Sequence, residues 1–172
     1  MEDLHARWPH RWLTPKAVVK SSRIHGLGIF CGGDIAKGET VLVAGGVIVP
    51  CSEISEYRKI MGIDVGAQID DDFFICPTNR EELEDRGVVN HSCNPNIGMV
   101  NSISLGALRK IRADEELVMD YAFHETSFEP FKCNCGSANC RGTIRPTDWR
   151  LPELQKKYGK YFSPYLQRKF MK

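Results

Sequence analysis

Short apolar runs broken by glycine dominate the first third of the chain. Ala17-Val18-Val19, Gly28-Ile29-Phe30-Cys31, Thr40-Val41-Leu42-Val43 and Val47-Ile48-Val49 are separated by Gly32-Gly33, Lys37-Gly38 and Gly45-Gly46. Runs this short, rich in β-branched residues and bounded by glycine, predict strands. The period then changes. Residues 52–61 read as a helix, with Ser52 as its N-cap and Gly62 ending it. Gln68-Ile69-Asp70 and Phe73-Phe74-Ile75-Cys76 return to strand, followed by a short helical turn over residues 80–83. Residues 103–108 and 116–119 are further strands. At the end, Pro152 opens a helix that Gly159 stops, and Ser163-Pro164 repeats the cap-plus-proline start. Leu151, Leu154, Tyr158, Phe162 and Tyr165 are expected to bury one side of that helical pair. The stretch up to Pro15 is aromatic and basic without a period. The pattern predicts a mainly β (α+β) chain, with many short strands in several small sheets and few helices.

Composition narrows the class. At 172 residues the chain suits one compact domain with a small C-terminal appendage, and its 42% hydrophobic content is ordinary for a globular protein. No apolar run approaches the roughly 18 residues of a membrane span, and the N-terminus lacks a signal-peptide core. The expectation is an intracellular protein, cytoplasmic or nuclear depending on the organism, with no membrane partner. Nothing in the sequence specifies an oligomeric state. Seven cysteines are many for a reducing compartment, and an odd number fits a disulfide framework poorly, so metal binding by a subset is the natural resolution. Cys31 and Cys76 sit in apolar runs and read as core residues, and Cys51 has no assigned role.

A net charge of +1 conceals an asymmetry: residues 53–85 carry ten acidic side chains against three basic ones, and residues 145–172 carry eight basic against two acidic. The plainer reading is two solvated faces that attract one another; the sharper is an acidic surface that receives a basic peptide. Nucleic-acid binding through the basic tail is disfavoured, because its charges lack aromatic interleaving in a recognised motif.

Candidate chemistry lies in four places. Cys133-Asn134-Cys135-Gly136-Ser137-Ala138-Asn139-Cys140 supplies three thiolates, one short of a closed tetrahedral zinc site. Asn90-His91-Ser92-Cys93-Asn94-Pro95-Asn96 is a polar, proline-punctuated loop with a fourth cysteine. If Cys93 completes the shell, two distant segments are pinned together, and His91, two residues away, is placed to support the ligand or to grip a polar molecule. Tyr121 closes the apolar run 116–119, either as an ordinary strand-end residue or with its hydroxyl directed into a pocket. Gly26-Leu27-Gly28 precedes a strand but is not a dinucleotide fingerprint, since no helix pattern follows it.

Taken in order, these motifs resemble SET-domain protein-lysine methyltransferases with a cysteine-rich post-SET segment. Residues 23–30 are similar to the first SET motif, Gly46 to the glycine of the following strand-turn, and 90–96 to Asn-His-Ser-Cys-x-Pro-Asn. Residues 116–121 resemble Glu-Leu-x-x-Asp-Tyr, and 133–140 the post-SET spacing. The resemblance implies small curved sheets with a pseudoknot and a domain division of 1–16 as N-terminal flank, 17–124 as SET domain with 52–85 as acidic insert, 125–145 as post-SET zinc segment and 146–172 as basic helical extension. No cysteine-rich pre-SET segment precedes these motifs, so a minimal form is expected. It further implies that Gly26, Leu27 and Gly28 present backbone to S-adenosylmethionine, that Asn90 and His91 hold its amino-acid end, and that Ile144 contacts its adenine. Tyr121 becomes the active-site tyrosine, and Cys93, Cys133, Cys135 and Cys140 hold one structural zinc. The implied reaction is methyl transfer to a lysine amine of a protein, with a basic segment as substrate lying as an added strand beside the insert. The alternative is a non-catalytic, zinc-stabilised binding module of the same fold. Departures from the family pattern motivate it: Met119 stands where Phe or Tyr is common, Val43-Ala44 where Glu-Tyr is common, and Gly87-Val88 where Arg-Phe is common. The lysine channel is therefore expected to be walled differently, by Phe123 or Phe128.

Overall fold

Each apolar run folds as a strand of five residues or fewer, so the core is enclosed by several small sheets rather than one. The structure is a computed structural model and describes residues 3–171. Met1 and Glu2 of the flank, Lys172 of the extension and the side chain of Asp85 in the insert lie outside the described residues. After a single helical turn, α1 (Leu4–Arg7), come β1 (Trp12–Leu13), β2 (Ala17–Ser21), β3 (Leu27–Cys31), β4 (Thr40–Val43) and β5 (Val47–Pro50). The insert holds α2 (Ile54–Met61), β6 (Ala67–Gln68), β7 (Phe73–Cys76) and α3 (Glu81–Arg86). Then follow β8 (Asn90–His91), β9 (Ile97–Met99), β10 (Ser104–Ala107), β11 (Val118–Met119), a 3-10 turn over Tyr121–Phe123, β12 (Phe131–Lys132) and β13 (Thr143–Ile144). Helices α4 (Pro152–Tyr158) and α5 (Pro164–Phe170) close the chain.

The main sheet runs β1-β4-β10-β9, and β5-β7-β6, β2-β3 and β12-β13 form three smaller ones. β8 and β11 pair in parallel, Asn90 opposite Val118 and His91 opposite Met119. That pairing sets two motifs that are far apart in sequence side by side.

Three expectations are corrected in detail. Helix α2 is capped at Glu53, not Ser52, because a turn in which Glu53 N–H donates to the Pro50 carbonyl (2.9 Å) delays helix entry. Gly62 does end it, in the left-handed conformation at φ 65°. The strand expected over residues 68–70 is Ala67–Gln68, since Ile69 and Asp70 N–H both turn back to the Phe73 carbonyl. Ser163 occupies the cap position of α5 without a side-chain cap bond, so Pro164, fixed in φ, carries that start.

The aromatic N-terminal stretch, which showed no period, contributes β1. It pairs with β4, Trp12 opposite Val43 and Leu13 opposite Leu42. Gly46 marks a close approach: its φ is 128°, and a Cβ there would stand 2.0 Å from the Cys76 carbonyl oxygen.

The C-terminal extension belongs to the main core. Leu154, Tyr158, Phe162, Tyr165 and Leu166 are buried with Ile29, Val41, Ile97, Ile111 and Leu117. The Phe123 ring packs on those of Phe162 and Tyr158 at 5.0 and 5.3 Å. On its polar side α5 meets the acidic insert, with Arg168 on Asp70 at 3.3 Å and Lys169 on Asp71 at 2.5 Å. The two oppositely charged segments thus attract one another, as the plainer reading expects. The pairs are exposed, so each contributes at most about 1 kcal/mol. Cys31 and Cys76 are fully buried, as expected of core cysteines. No helix among the described residues is long and apolar enough to cross a membrane.

Candidate active site and metal centre

The four Sγ atoms of Cys93, Cys133, Cys135 and Cys140 lie within 4.8 Å of one another, with Cys93 and Cys133 at 4.0 Å. A tetrahedral zinc with bonds of about 2.3 Å needs sulfur–sulfur edges of about 3.8 Å, so the cluster fits the ion. Four thiolates leave no open position for water or substrate, which matches a structural ion. The loop is preorganised without it. Arg141 N–H donates to Cys93 Sγ at 3.3 Å, Gly142 N–H to Cys140 Sγ at 3.4 Å, and Asn139 Nδ2 to the Cys93 carbonyl at 2.8 Å.

From this cluster a chain of contacts runs to Tyr121. The Nδ1 atom of His91 accepts the Tyr121 backbone N–H at 3.2 Å, so the neutral ring carries its proton on Nε2, which lies 3.5 Å from Cys93 Sγ. Burial holds His91 near about 4, despite Asp120, and thus neutral at pH 7. His91 therefore couples the cysteine cluster to the tyrosine, the supporting role its spacing suggested. Asp120, fully buried, accepts a two-pronged pair from Arg141 at 2.6 and 2.8 Å and caps the 3-10 turn through Ala122 N–H. Arg141 also reaches Asp148 at 3.1 Å.

Asn90 spends its amide on the first motif. Nδ2 donates to the carbonyls of His25 (3.1 Å) and Leu27 (3.0 Å) and to Glu116 Oε1 (2.8 Å). Ser22 holds the other Glu116 oxygen at 3.0 Å. A Cβ on Gly28 would stand 2.3 Å from Glu116 Oε1, so a larger residue there would push that carboxylate from its place. Asn96 bridges the parallel pair from below, donating to the Glu116 carbonyl at 2.7 Å and accepting Val118 N–H at 2.9 Å.

Two cavities meet at Tyr121. The larger, about 450 Å³, is walled by Ile24, His25, Asn90, His91, Phe128, Phe131 and Lys132, with Glu125 and Asp64. That volume lies within the roughly 300–1,000 Å³ of small-molecule sites. The smaller, about 90 Å³, is apolar, walled by Ala44, Val65, Val88, Val89, Met99, Met119 and His124. Tyr121 and Asp64 line both. The Tyr121 hydroxyl donates to the Val89 carbonyl at 3.0 Å. Burial, reinforced by Glu125 and Asp64, pushes its phenol well above the ordinary tyrosine range, so it stays protonated at neutral pH.

The other expected residues are placed as follows. Gly26, Leu27 and Gly28 follow directly on Ile24 and His25, which wall the larger cavity. Ile144 is fully buried against Cys93 and Cys133. Phe123 is buried in the main core and walls neither cavity, because the C-terminal extension claims its ring. Phe128 lines the larger one.

Residues with no motif signal also matter. Arg58 of α2 reaches Glu125 at 2.5 Å, Asp64 at 2.7 Å and the Ser127 carbonyl at 2.9 Å, tying the insert to the cavity rim. Burial raises Glu125 to about 7, against the opposing pull of Arg58. Arg141 carried no motif signal either, and its pairing with Asp120 of the 116–121 motif was invisible because it joins residues 21 positions apart.

Known proteins agree with this arrangement. The family profile described as SET domain matches residues 26–122. Human histone-lysine N-methyltransferase 2B is 32% identical over 148 residues, covering 78% of this chain and 5% of that protein. Trithorax of Drosophila virilis, also named a histone-lysine N-methyltransferase, is 34% identical over 134 residues, or 72% of this chain and 3% of that protein. The H3 lysine-4 specific enzyme of Saccharomyces cerevisiae is 30% identical over 137 residues, covering 72% and 12%. The chain thus spans a small part of these curated relatives. Among solved structures, KRYPTONITE in complex with mCHG DNA and SAH superposes with a TM-score of 0.57 at 25% identity, over 76% of this chain and 29% of that one. The methyltransferase domain of human SETMAR gives 0.51 at 22% identity over 72% and 55%, a likeness of fold.

Proposed function

The chain belongs to the SET-domain family, and from that membership we propose that it is an S-adenosylmethionine-dependent protein-lysine N-methyltransferase. The observation that carries the reading is the position of Tyr121 between a cavity of cofactor size and an apolar cavity. Asn90, His91, His25 and Phe131 would hold the cofactor, whose sulfonium supplies the methyl group. The donor set suits it, with polar side chains for an amino-acid end and an aromatic wall for a base. The SAH of the KRYPTONITE complex supports the same choice.

The rest follows from what the residues do. Lysine is protonated at neutral pH, with a pKa near about 10.4, and only its neutral amine is a nucleophile. The apolar walls from Val65 to Met119 favour that neutral form by desolvation. Tyr121, itself protonated, is no base. It orients the amine and excludes water, so alignment supplies most of the acceleration. Zinc held by Cys93, Cys133, Cys135 and Cys140 would fasten the cysteine segment beside the larger cavity, which Cys133 and Asn134 line, and take no part in the chemistry.

The substrate class suggested is a basic protein segment, laid along the free edge of β6, where Ala67 already lines the apolar cavity. Asp64 at the cavity mouth suits the charge of such a segment. The histone-lysine names of the relatives point the same way. An intracellular site of action, cytoplasmic or nuclear, suits reduced thiolates and a basic protein target.

Transfer of radiolabelled methyl groups to core histones and other basic proteins tests the reading. We expect transfer by the wild type and a loss of at least about a hundredfold in Tyr121→Phe, the scale on which misalignment at a reacting centre acts. Equal activity of that variant would refute the assignment. Cofactor binding without any turnover would favour the non-catalytic binding module, for which Ala44 and Met119 in place of aromatic residues are the supporting observation.

A further inference from the structure

His124 follows the 3-10 turn that carries Tyr121, and its ring lies 6.0 Å from the tyrosine ring on the wall of the apolar cavity. It is 7% exposed, and its Nδ1 has no hydrogen-bond partner. Buried polar atoms are nearly always paired, so an unpaired nitrogen in a ring that lines a cavity calls for a partner. The other polar side chains at this cavity already have partners. Tyr121 donates to the Val89 carbonyl, Arg11 to the Gly87 carbonyl at 3.4 Å, and Asp64 pairs with Arg58. The His124 backbone carbonyl is likewise occupied, by the Tyr165 hydroxyl at 2.9 Å. Burial lowers the imidazole to about 4, against the opposing pull of its own backbone carbonyl and of Asp120, with Arg58 adding to the effect of burial. It is therefore neutral at working pH, and one ring nitrogen offers a lone pair.

We propose that His124 is the hydrogen-bond acceptor for the substrate amine in the apolar cavity. The identity of that amine rests on the lysine-methyltransferase reading. The cavity, about 90 Å³, holds about three water-sized groups, enough for the end of an aminoalkyl chain. An N–H of the amine donates to the imidazole, which turns the nitrogen lone pair away from His124. No proton is transferred: a base held near about 4 does not deprotonate an alkylammonium. A neutral primary amine has two N–H groups, its monomethyl form one and its dimethyl form none. The bond therefore favours the first two transfers, and a third would leave the acceptor unpaired.

The direct test is nuclear magnetic resonance of the ¹⁵N-histidine-labelled full chain with bound S-adenosylmethionine. n-Butylamine should shift the His124 ring nitrogens, and butyltrimethylammonium, which has no N–H, should not. Absence of a shift with butylamine, or equal shifts with both, overturns the proposal. Because this readout needs no turnover, a His124 response without histone methylation would sink the enzyme reading and leave the acceptor site standing. With core histones as acceptor, His124→Leu should raise KM roughly tenfold, the worth of one hydrogen bond, and let trimethyllysine accumulate. His124→Gln should recover most of the KM. Cofactor affinity by calorimetry should change by less than about twofold in both variants, well under the worth of one hydrogen bond. An unchanged KM and product distribution in a folded His124→Leu protein also overturns the proposal.

Discussion

Arg141→Ala isolates the clamp that fastens the cysteine segment to the core. Asp120 is fully buried, and Arg141, whose side chain is 17% exposed, grips it with two nitrogens at 2.6 and 2.8 Å. Its ε nitrogen adds Asp148 at 3.1 Å. Removing one partner of a buried pair strands the other charge, at a cost of about 3–5 kcal/mol. For a chain of this length that is a fall in Tm of roughly 6–20 °C. Urea unfolding of the zinc-loaded protein reads the free energy directly. Asp120→Asn removes the stranded charge, so the double variant should cost less than the sum of the two single ones by at least about 1 kcal/mol. Arg141→Lys keeps the charge but loses the fork, and should fall between wild type and alanine. A penalty below about 1 kcal/mol for Arg141→Ala, or strict additivity with Asp120→Asn, would refute the clamp.

Metal analysis should find one zinc per chain, lost on Cys93→Ser as on replacement of Cys133, Cys135 or Cys140; full zinc in Cys93→Ser would dissolve the link between motif and cluster. Phe162→Ala removes a fully buried ring packed on Phe123 and Phe170 and should cost about 3–5 kcal/mol in urea unfolding. An effect near zero would make the C-terminal extension a mere appendage. The His124 imidazole stands near about 4 in the fold against about 6.5 unfolded, so its contribution is present above about 6.5 and lost as pH falls toward about 4. The penalty of His124→Leu should therefore shrink by roughly 2 kcal/mol between about pH 7 and about pH 5. A difference from wild type that is independent of pH would refute the burial of a neutral ring.

Much of this protein was legible in the chain. Glycine-bounded apolar runs predicted small sheets because strand formation and side-chain burial are local in period. Three of the four cysteines were legible because their chemistry is stereotyped, closely spaced thiolates being a ligand pattern in themselves; Cys93, 40 positions before Cys133, entered the set only through the family resemblance. The order of motifs indicated the family for the same reason, since each preserves a local geometry, such as Gly28 making room for Glu116. The charge asymmetry also spoke, and in the fold it brings α5 onto the acidic insert.

What stayed hidden depends on distance along the chain. Neither Arg141 nor Asp120 announces the other, and Arg58 meets Glu125 only because the insert folds back over the 3-10 turn. That the Asn90 amide binds His25, Leu27 and Glu116 was not legible, because only the fold sets three acceptors around it. Phe123 was an equally reasonable channel wall until the extension packed on it. His124 shows the difference most sharply. In sequence it is one histidine among five; in the fold it is buried, neutral and unpaired beside Tyr121. Strands, the three-thiolate run and the motifs that carry the family resemblance follow from short-range spacing and residue chemistry, so the chain announces them unaided. Which polar groups are satisfied is a property of the folded molecule, because desolvation and hydrogen bonding depend on what distant segments bring within about 3 Å.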